Sequence, residues 1–122
     1  MIRTFVETSI FEQLIDQEND KELENTVKRD ILEDPSRGDI ISGTGGVRKF
    51  RISDKSRGKG KRGGFRVLYL DLPKHERTYL LLIYNKDQLD NISSEQKKAL
   101  KKIVEGVKDE CNKKKKNWNY QW

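Results

Sequence analysis

Val47 to Tyr84 reads VRKFRISDKSRGKGKRGGFRVLYLDLPKHERTYLLLIY, and both ends of this stretch carry strand periodicity. From Val47 to Ser53 the residues alternate, with Phe50 and Ile52 on one face and Lys49 and Arg51 on the other. Two cations therefore share one surface of a sheet. Phe65 to Leu72 and Arg77 to Tyr84 are two further strands, joined by a turn around Pro73, Lys74 and His75. Leu80, Leu81, Leu82 and Ile83 run without alternation, as in a strand covered on both faces. Helices must supply that cover.

The flanks provide them. After a β-prone opening from Ile2 to Val6, Ser9 and Glu12 form a capping-box pattern for a helix with Ile10, Phe11, Leu14 and Ile15 on one face. Asp20 is placed to cap a second helix with a stripe of Leu23, Val27 and Ile31, and Leu32 beside it; Pro35 ends that helix by disfavouring helical geometry at Asp34. Downstream, Ser93 and Gln96 open a final amphipathic helix carrying Leu100, Ile103, Val104, Val107 and Cys111. The order β-α-α-β-β-β-α predicts an α+β fold, with an N-terminal helical hairpin and a C-terminal helix packed on a small, mostly antiparallel sheet. A chain of 122 residues suits one domain, expected over residues 1–112 and followed by a basic, aromatic tail at 113–122. Lys113 to Lys116 lead there into Trp118, Tyr120 and Trp122, aromatics suited to stacking on unpaired bases. Chain termini commonly fray or dock a partner instead, so the tail stays outside the candidate site.

Charge is distributed unevenly. Arg48 to Arg66 hold nine of the 26 Lys and Arg and a single acid, Asp54, so this stretch carries +8 while the net charge of the chain is +6. Glu7 to Asp39 hold eleven acids and four bases. A localised cationic field threaded with glycines attracts polyphosphate and lets a backbone approach closely, which makes nucleic acid the first partner to consider. A solvated basic loop is the competing interpretation. The acidic hairpin should face away from nucleic acid and serve as scaffold.

Several chemistries are excluded. One cysteine, Cys111, permits neither an internal disulfide nor a cysteine-based metal site and suits a reducing cytosol. One histidine, His75, rules out a two-histidine nuclease, and Asp87 and Asp90 are better read as caps near a helix entrance than as a metal cage. No signal-peptide pattern is present and no segment approaches the ~20 apolar residues that span a bilayer. The expectation is a cytoplasmic protein without membrane contact, metal or cofactor.

The segments GDIISGTGGVRKFRISDKSRGKGKRGGFRVLYLDL (Gly38 to Leu72) and YLLLIYNKDQLDNISSEQKKALKKI (Tyr79 to Ile103) together resemble the HigB branch of the RelE toxin superfamily. The shared features are Gly-Thr-Gly-Gly, then Arg-Lys-x-Arg, a basic glycine loop, Gly-Gly-x-Arg, and Ile-Tyr-x-Lys after the last strand. They cover about the last two-thirds of the chain, and their combination is far more specific than any one of them. The resemblance implies the toxin of a toxin–antitoxin pair. Such a toxin enters the ribosomal A site, cuts mRNA there, and is silenced by a cognate antitoxin that is HigA-like and binds DNA.

Cutting RNA without a metal requires the 2′-OH to lose a proton and attack the adjacent phosphorus, while the leaving 5′-oxygen gains a proton and charge gathers on the phosphoryl oxygens. The resemblance puts Lys49 and Arg51 where the family carries two basic residues on its first sheet hairpin, and Arg66 where it carries the arginine after the loop. Arg66 would grip the scissile phosphate through its guanidinium fork. A lysine set among arginines has its ammonium form disfavoured, which would make Lys49 or Lys86 a usable base or acid; otherwise both act as point charges on phosphate. Tyr84 either stacks on a base or orients a phosphate, or it packs as an end-of-strand aromatic. The candidate catalytic set is thus Lys49, Arg51, Arg66, Tyr84 and Lys86, and the candidate RNA- and ribosome-binding set is Arg48, Lys55, Arg57, Lys59, Lys61 and Arg62. The chain departs from RelE in carrying Asp87 where an arginine would follow the lysine, and in having no tyrosine between Ile92 and Asn112. The general acid is therefore unassigned. Two other functions share these features: a non-catalytic nucleic-acid-binding module, and a ParE-like toxin that inhibits gyrase.

Overall fold

The computed structural model describes residues 2–18, 20–54, 58, 64–85 and 91–113, with the backbone of the last helix followed to Tyr120. Its elements are β1 (Thr4–Glu7), α1 (Ser9–Gln17), α2 (Leu23–Glu33), β2 (Asp39–Ile40), β3 (Arg48–Ile52), β4 (Phe65–Leu72), β5 (Arg77–Asn85) and α3 (Ser94–Tyr120), with a 3-10 turn at Pro73–His75 between β4 and β5. The strands form one sheet in the order β1-β5-β4-β3-β2. β1 runs parallel to β5, and the other pairs are antiparallel. The α+β expectation therefore holds, with one strand more than the periodicity revealed. β2 is only two residues long, too short to show an alternation, and pairs Asp39 with Lys49 and Ile40 with Arg48.

The Gly-Thr-Gly-Gly turn makes that pairing possible. Thr44, wholly buried, donates its hydroxyl to the Ile41 carbonyl at 2.6 Å and accepts from the Val47 amide at 3.1 Å. Gly45 has φ +83°, and a side chain there would press on Val104 of α3. The turn thus brings the β2–β3 hairpin against the last helix.

Two helix starts differ from the sequence expectation. The cap of α1 is Thr8, not Ser9: Thr8 is extended, its hydroxyl oxygen accepts from the Phe11 amide at 3.0 Å, and the same hydroxyl donates to the Leu81 carbonyl at 2.9 Å. A cap that also binds the sheet prevails over one that serves only its own helix. Asp20 sits one turn before α2; its carboxylate accepts from the Glu22 amide at 3.0 Å, so it closes the approach to a helix whose cap is Glu22. The capping box of α3 forms as read, with Ser93 and Gln96 exchanging hydrogen bonds at 2.8 and 3.2 Å. Asp34 is extended before Pro35, ending α2 as expected.

Both faces of the sheet are covered. On one, Phe11, Leu23, Val27 and Ile31 of the hairpin pack on Phe50, Ile52, Val67, Tyr69, Leu80 and Ile83. On the other, Leu100, Val104 and Cys111 of α3 pack on Val47, Leu68, Leu70, Tyr79, Leu81 and Tyr84. Cys111 lies 3.3 Å from the Tyr79 hydroxyl, tying the helix to β5. Ile103, assigned to the buried stripe by its spacing, is 44% exposed, because the buried face of α3 centres on Leu100 and Val104.

The leucine run of β5 hides an irregularity. Leu68 pairs with Leu82, but Tyr69 pairs with Leu80, so Leu81 is an extra residue, a β-bulge. Leu81 and Leu82 consequently both lie on the α3 side. Beyond the bulge Ile83 faces the hairpin and Tyr84 faces α3, the reverse of an unbroken alternation from Leu80.

Tyr69 joins the two halves of the chain. Its ring packs edge-on against Phe50 at 5.5 Å, and its hydroxyl lies 2.7 Å from the Arg37 carbonyl and 3.0 Å from that of Pro35, in the turn that leaves α2. Burial pushes its pKa up to about 12. An unfolded tyrosine titrates near ~10, so this contribution is intact below that pH and is lost as pH climbs toward the folded value. Tyr69→Phe should cost about 1–2 kcal/mol near neutrality, where the hydrogen bond is lost. Urea unfolding across the alkaline range should show a shallower loss of stability in the variant than in the parent.

Candidate nucleic-acid interface

The alternation of β3 buries Phe50 and Ile52 beneath the hairpin and turns Lys49 and Arg51 to the opposite face. Strand register then builds a row across three strands: Arg51 is opposite Arg66, and Arg66 is opposite Tyr84. Lys49 lies two residues from Arg51 on the same side, about 7 Å along the strand. The structure therefore brings together four of the five candidate catalytic residues.

The row is electrostatically uneasy. Arg66 is buried, and its guanidinium donates to the Gly64 carbonyl at 3.4 Å. Burial first, and then the neighbouring Arg51, lower its pKa, although a guanidinium does not give up its proton in a protein. Like charges directly opposite each other destabilise a strand pair. Tyr84 is also buried, and its hydroxyl lacks a hydrogen-bond partner among the described residues. Burial raises its pKa, with Arg66 opposing, so the group is a neutral phenol with a proton to donate. Tyr84 is thus both the end-of-strand packing residue and a polar group beside Arg66.

Arg48 is elsewhere. It pairs with Tyr69 across the strands, and its guanidinium donates to the carbonyls of Ser36 and Gly38 at 3.0 and 3.2 Å, which ties β3 to the turn after α2. Gly38, at φ +85°, has no room for a side chain, which would collide with the Lys49 carbonyl. Lys86 and the loop cations Lys55, Arg57, Lys59, Lys61 and Arg62 lie outside the described residues. His75 is in the turn at the far end of β4 from Arg66. Among the described residues, no three or more His, Cys, Asp or Glu side chains converge as metal ligands would, and no helix is long and apolar enough to cross a membrane.

Sequence reasoning missed Thr8 and Leu81, which orient Tyr84 through the bulge. It also missed Asp39, whose pairing with Lys49 depends on a strand too short to read. The Gly-Thr-Gly-Gly turn was the available signal for that hairpin.

The pattern of matching extends over nearly the whole chain: the family model described as the RelE toxin of the RelE/RelB toxin–antitoxin system matches residues 3–118. The chain belongs to the RelE toxin family. As a RelE-family protein it is the toxin member of a toxin–antitoxin pair, with an antitoxin as partner. Its cationic row faces away from the acidic hairpin, so the sheet itself separates the two fields.

The like-charged pair gives this RelE-family toxin a measurable signature. Arg51→Gln should leave stability unchanged or raise it by up to about 0.5 kcal/mol, because a repulsive cross-strand pair is removed. It should also weaken single-stranded RNA binding and make its logarithmic salt dependence shallower by about 0.7. Urea unfolding and binding measured over a range of salt check both halves.

Proposed function

We propose that this RelE-family toxin is a metal-independent endoribonuclease of the HigB branch, acting in the cytoplasm on mRNA in the ribosomal A site. The observation that supports it best is the row of Arg51, Arg66 and Tyr84, with Lys49 alongside: cations and a free phenol on one rigid surface. Strand residues locked by register hold such a constellation more tightly than loop residues would.

In this reading the scissile phosphate lies over Arg66, whose guanidinium donates to the phosphoryl oxygens, and Arg51 adds a second positive charge where negative charge accumulates. The Tyr84 hydroxyl donates to the same phosphate. A buried hydroxyl left without a partner costs about 1–3 kcal/mol in the free protein, and a bound phosphate oxygen removes that cost. Lys49 or Lys86 takes the 2′-OH proton. The 2′-oxygen then bonds to phosphorus, the bond to the 5′-oxygen breaks, and that oxygen leaves with a proton from an acid not assigned to a residue. The loop cations Lys55, Arg57, Lys59, Lys61 and Arg62, together with any exposed part of Arg48, hold ribosomal RNA. A HigA-like antitoxin that binds DNA silences the toxin by covering the row or by blocking ribosome entry through its bulk.

Supplying a message with and without translating ribosomes tests this directly. Cleavage should require the ribosome and leave 5′-hydroxyl ends; 5′-phosphate ends would indicate attack by water and overturn the scheme. Arg66→Ala should lower cleavage by about 10²–10³-fold while the far-ultraviolet circular dichroism stays that of the parent. Tyr84→Phe should also slow cleavage, yet raise stability by about 1 kcal/mol, since it removes an unsatisfied buried hydroxyl. Full cleavage in both variants would refute the site.

A further inference from the structure

β1 ends opposite Leu80, where the chain turns into α1, and among the described residues no strand continues along that edge of β5. The opening is a groove of about 240 Å³ between α1 and α3. Ile10 forms one wall and Ala99 and Ile103 the other. Leu81 and Leu82, both turned to the α3 side by the bulge, form the floor.

The lining offers apolar contact and little else. Thr8 and Gln96 reach the groove, but the Thr8 hydroxyl is engaged with the Leu81 carbonyl and the Phe11 amide, and the Gln96 side-chain oxygen with the Ser93 amide. Ile10 is 53% exposed and Ile103 44%. A single exposed isoleucine needs no explanation, whereas two that face each other across one groove form an unpartnered apolar patch. Gly106 is a second anomaly. It lies exposed in the middle of α3, where glycine weakens a helix relative to alanine, yet a Cβ there would meet nothing within 4 Å. It follows Gln96, Ala99 and Ile103 at steps of three and four residues, so the same face of α3 continues past the groove as bare backbone.

We propose that this groove docks an amphipathic helix of the antitoxin, one with acidic residues flanking its apolar stripe; the inference rests on membership of the RelE family and not on the RNA-cleaving reading. The face from Gln96 to Gly106 runs about 15 Å, the length of three turns of a partner helix laid alongside. Apolar anchors at i, i+3 or i+4, and i+7 of that helix fill the space between Ile10 and Ile103, and Gly106 lets the two backbones approach closely. Charge selects the occupant. From Gln96 to Ile103, α3 carries Lys97, Lys98, Lys101 and Lys102 and no acid. A second copy of the chain would set these lysines beside its own, in a protein whose net charge is already +6. RNA would be drawn to the lysines but gains nothing from isoleucine and leucine walls. An acidic amphipathic helix matches the lysines and the apolar lining together.

Calorimetry of the full-length toxin with its cognate antitoxin tests the assignment. Ile10→Asp and Ile103→Asp should each weaken the complex by about 30-fold or more, as expected of central anchors, with the far-ultraviolet circular dichroism of the free toxin unchanged. Ile103→Ala, which introduces no charge, should weaken it by about tenfold and keeps the test open if an aspartate variant fails to fold. Ile2→Asp, at a residue 74% exposed and outside the groove, should leave affinity within about twofold. Gly106→Gln should raise the Tm of the free toxin yet weaken the complex, because its side chain occupies the path of the partner helix. Replacing Lys98 and Lys102 together by Glu should slow association, most at low salt, more than it speeds dissociation. Unchanged affinity in the folded Ile10 and Ile103 variants overturns the proposal. So does a free toxin that Ile103→Asp converts from dimer to monomer, or that loses ribosome binding, while its antitoxin affinity stays that of the parent: the groove then belongs to a second copy or to the ribosome. Groove-dependent antitoxin binding by a toxin that cuts no message would leave the docking site in place and remove only the nuclease reading.

Discussion

One extra residue in β5 determines what the cationic face contains. Side chains alternate along a strand, so an unbroken β5 would put Tyr84 on the same side as Leu80, under the helical hairpin. The bulge at Leu81 inverts the remainder of the strand, burying Ile83 with Phe11 and Val27 and aligning Tyr84 with Arg66. The inversion is held by Thr8. Its amide donates to the Leu80 carbonyl at 3.1 Å and its hydroxyl donates to the Leu81 carbonyl, while the same hydroxyl caps α1. A helix start, a sheet irregularity and a candidate phosphate site are therefore coupled through one threonine.

The face so arranged works against stability. Two arginines stand directly opposite each other, one of them buried, and a buried phenol has no hydrogen-bond partner among the described residues. Each feature is a local violation of the rules that stabilise a sheet, and such violations concentrate where a protein binds or reacts. The opposite face has an apolar interface between sheet and hairpin and an exposed surface dominated by acids. Apolar burial on both faces stabilises the sheet that holds the row, beneath the hairpin and beneath α3 alike. Tyr69 contributes by binding the turn after α2, from which Gly38 and Asp39 lead into β2.

Charge is separated in the same way. The acids of α1 and α2 are held away from Lys49, Arg51 and Arg66 by the apolar layer beneath the hairpin and by the sheet, whereas Asp39 in β2 pairs directly with Lys49. On the α3 side, Lys97 and Lys108 extend the positive field, and Lys108 also donates to the Gly45 carbonyl at 3.2 Å, fastening the helix to the β2–β3 turn. A polyanion approaching this face meets cations from the strands and from the helix together. An approach from the hairpin side is disfavoured.

Much of this was legible from residue order. The alternation in VRKFRIS was enough to assign Lys49 and Arg51 to one face, Pro35 to end α2, and Ser93 with Gln96 to start α3, because each depends only on neighbours within a few positions. The resemblance of the segment after Gly38 added the family, and with it Arg66. What lay beyond reach was everything set by partners distant in sequence. Thr8 prevails over Ser9 because a carbonyl of β5 needs a donor; β2 exists because Asp39 meets Lys49; Ile103 is exposed because Leu100 and Val104 take the contact with the sheet. A run of four apolar residues in β5 buries well in either phase, so its composition cannot say which way Tyr84 faces. Residue types decided where strands and cations occur, while the bulge, which exists only once β5 is paired on both edges, decided which of them meet.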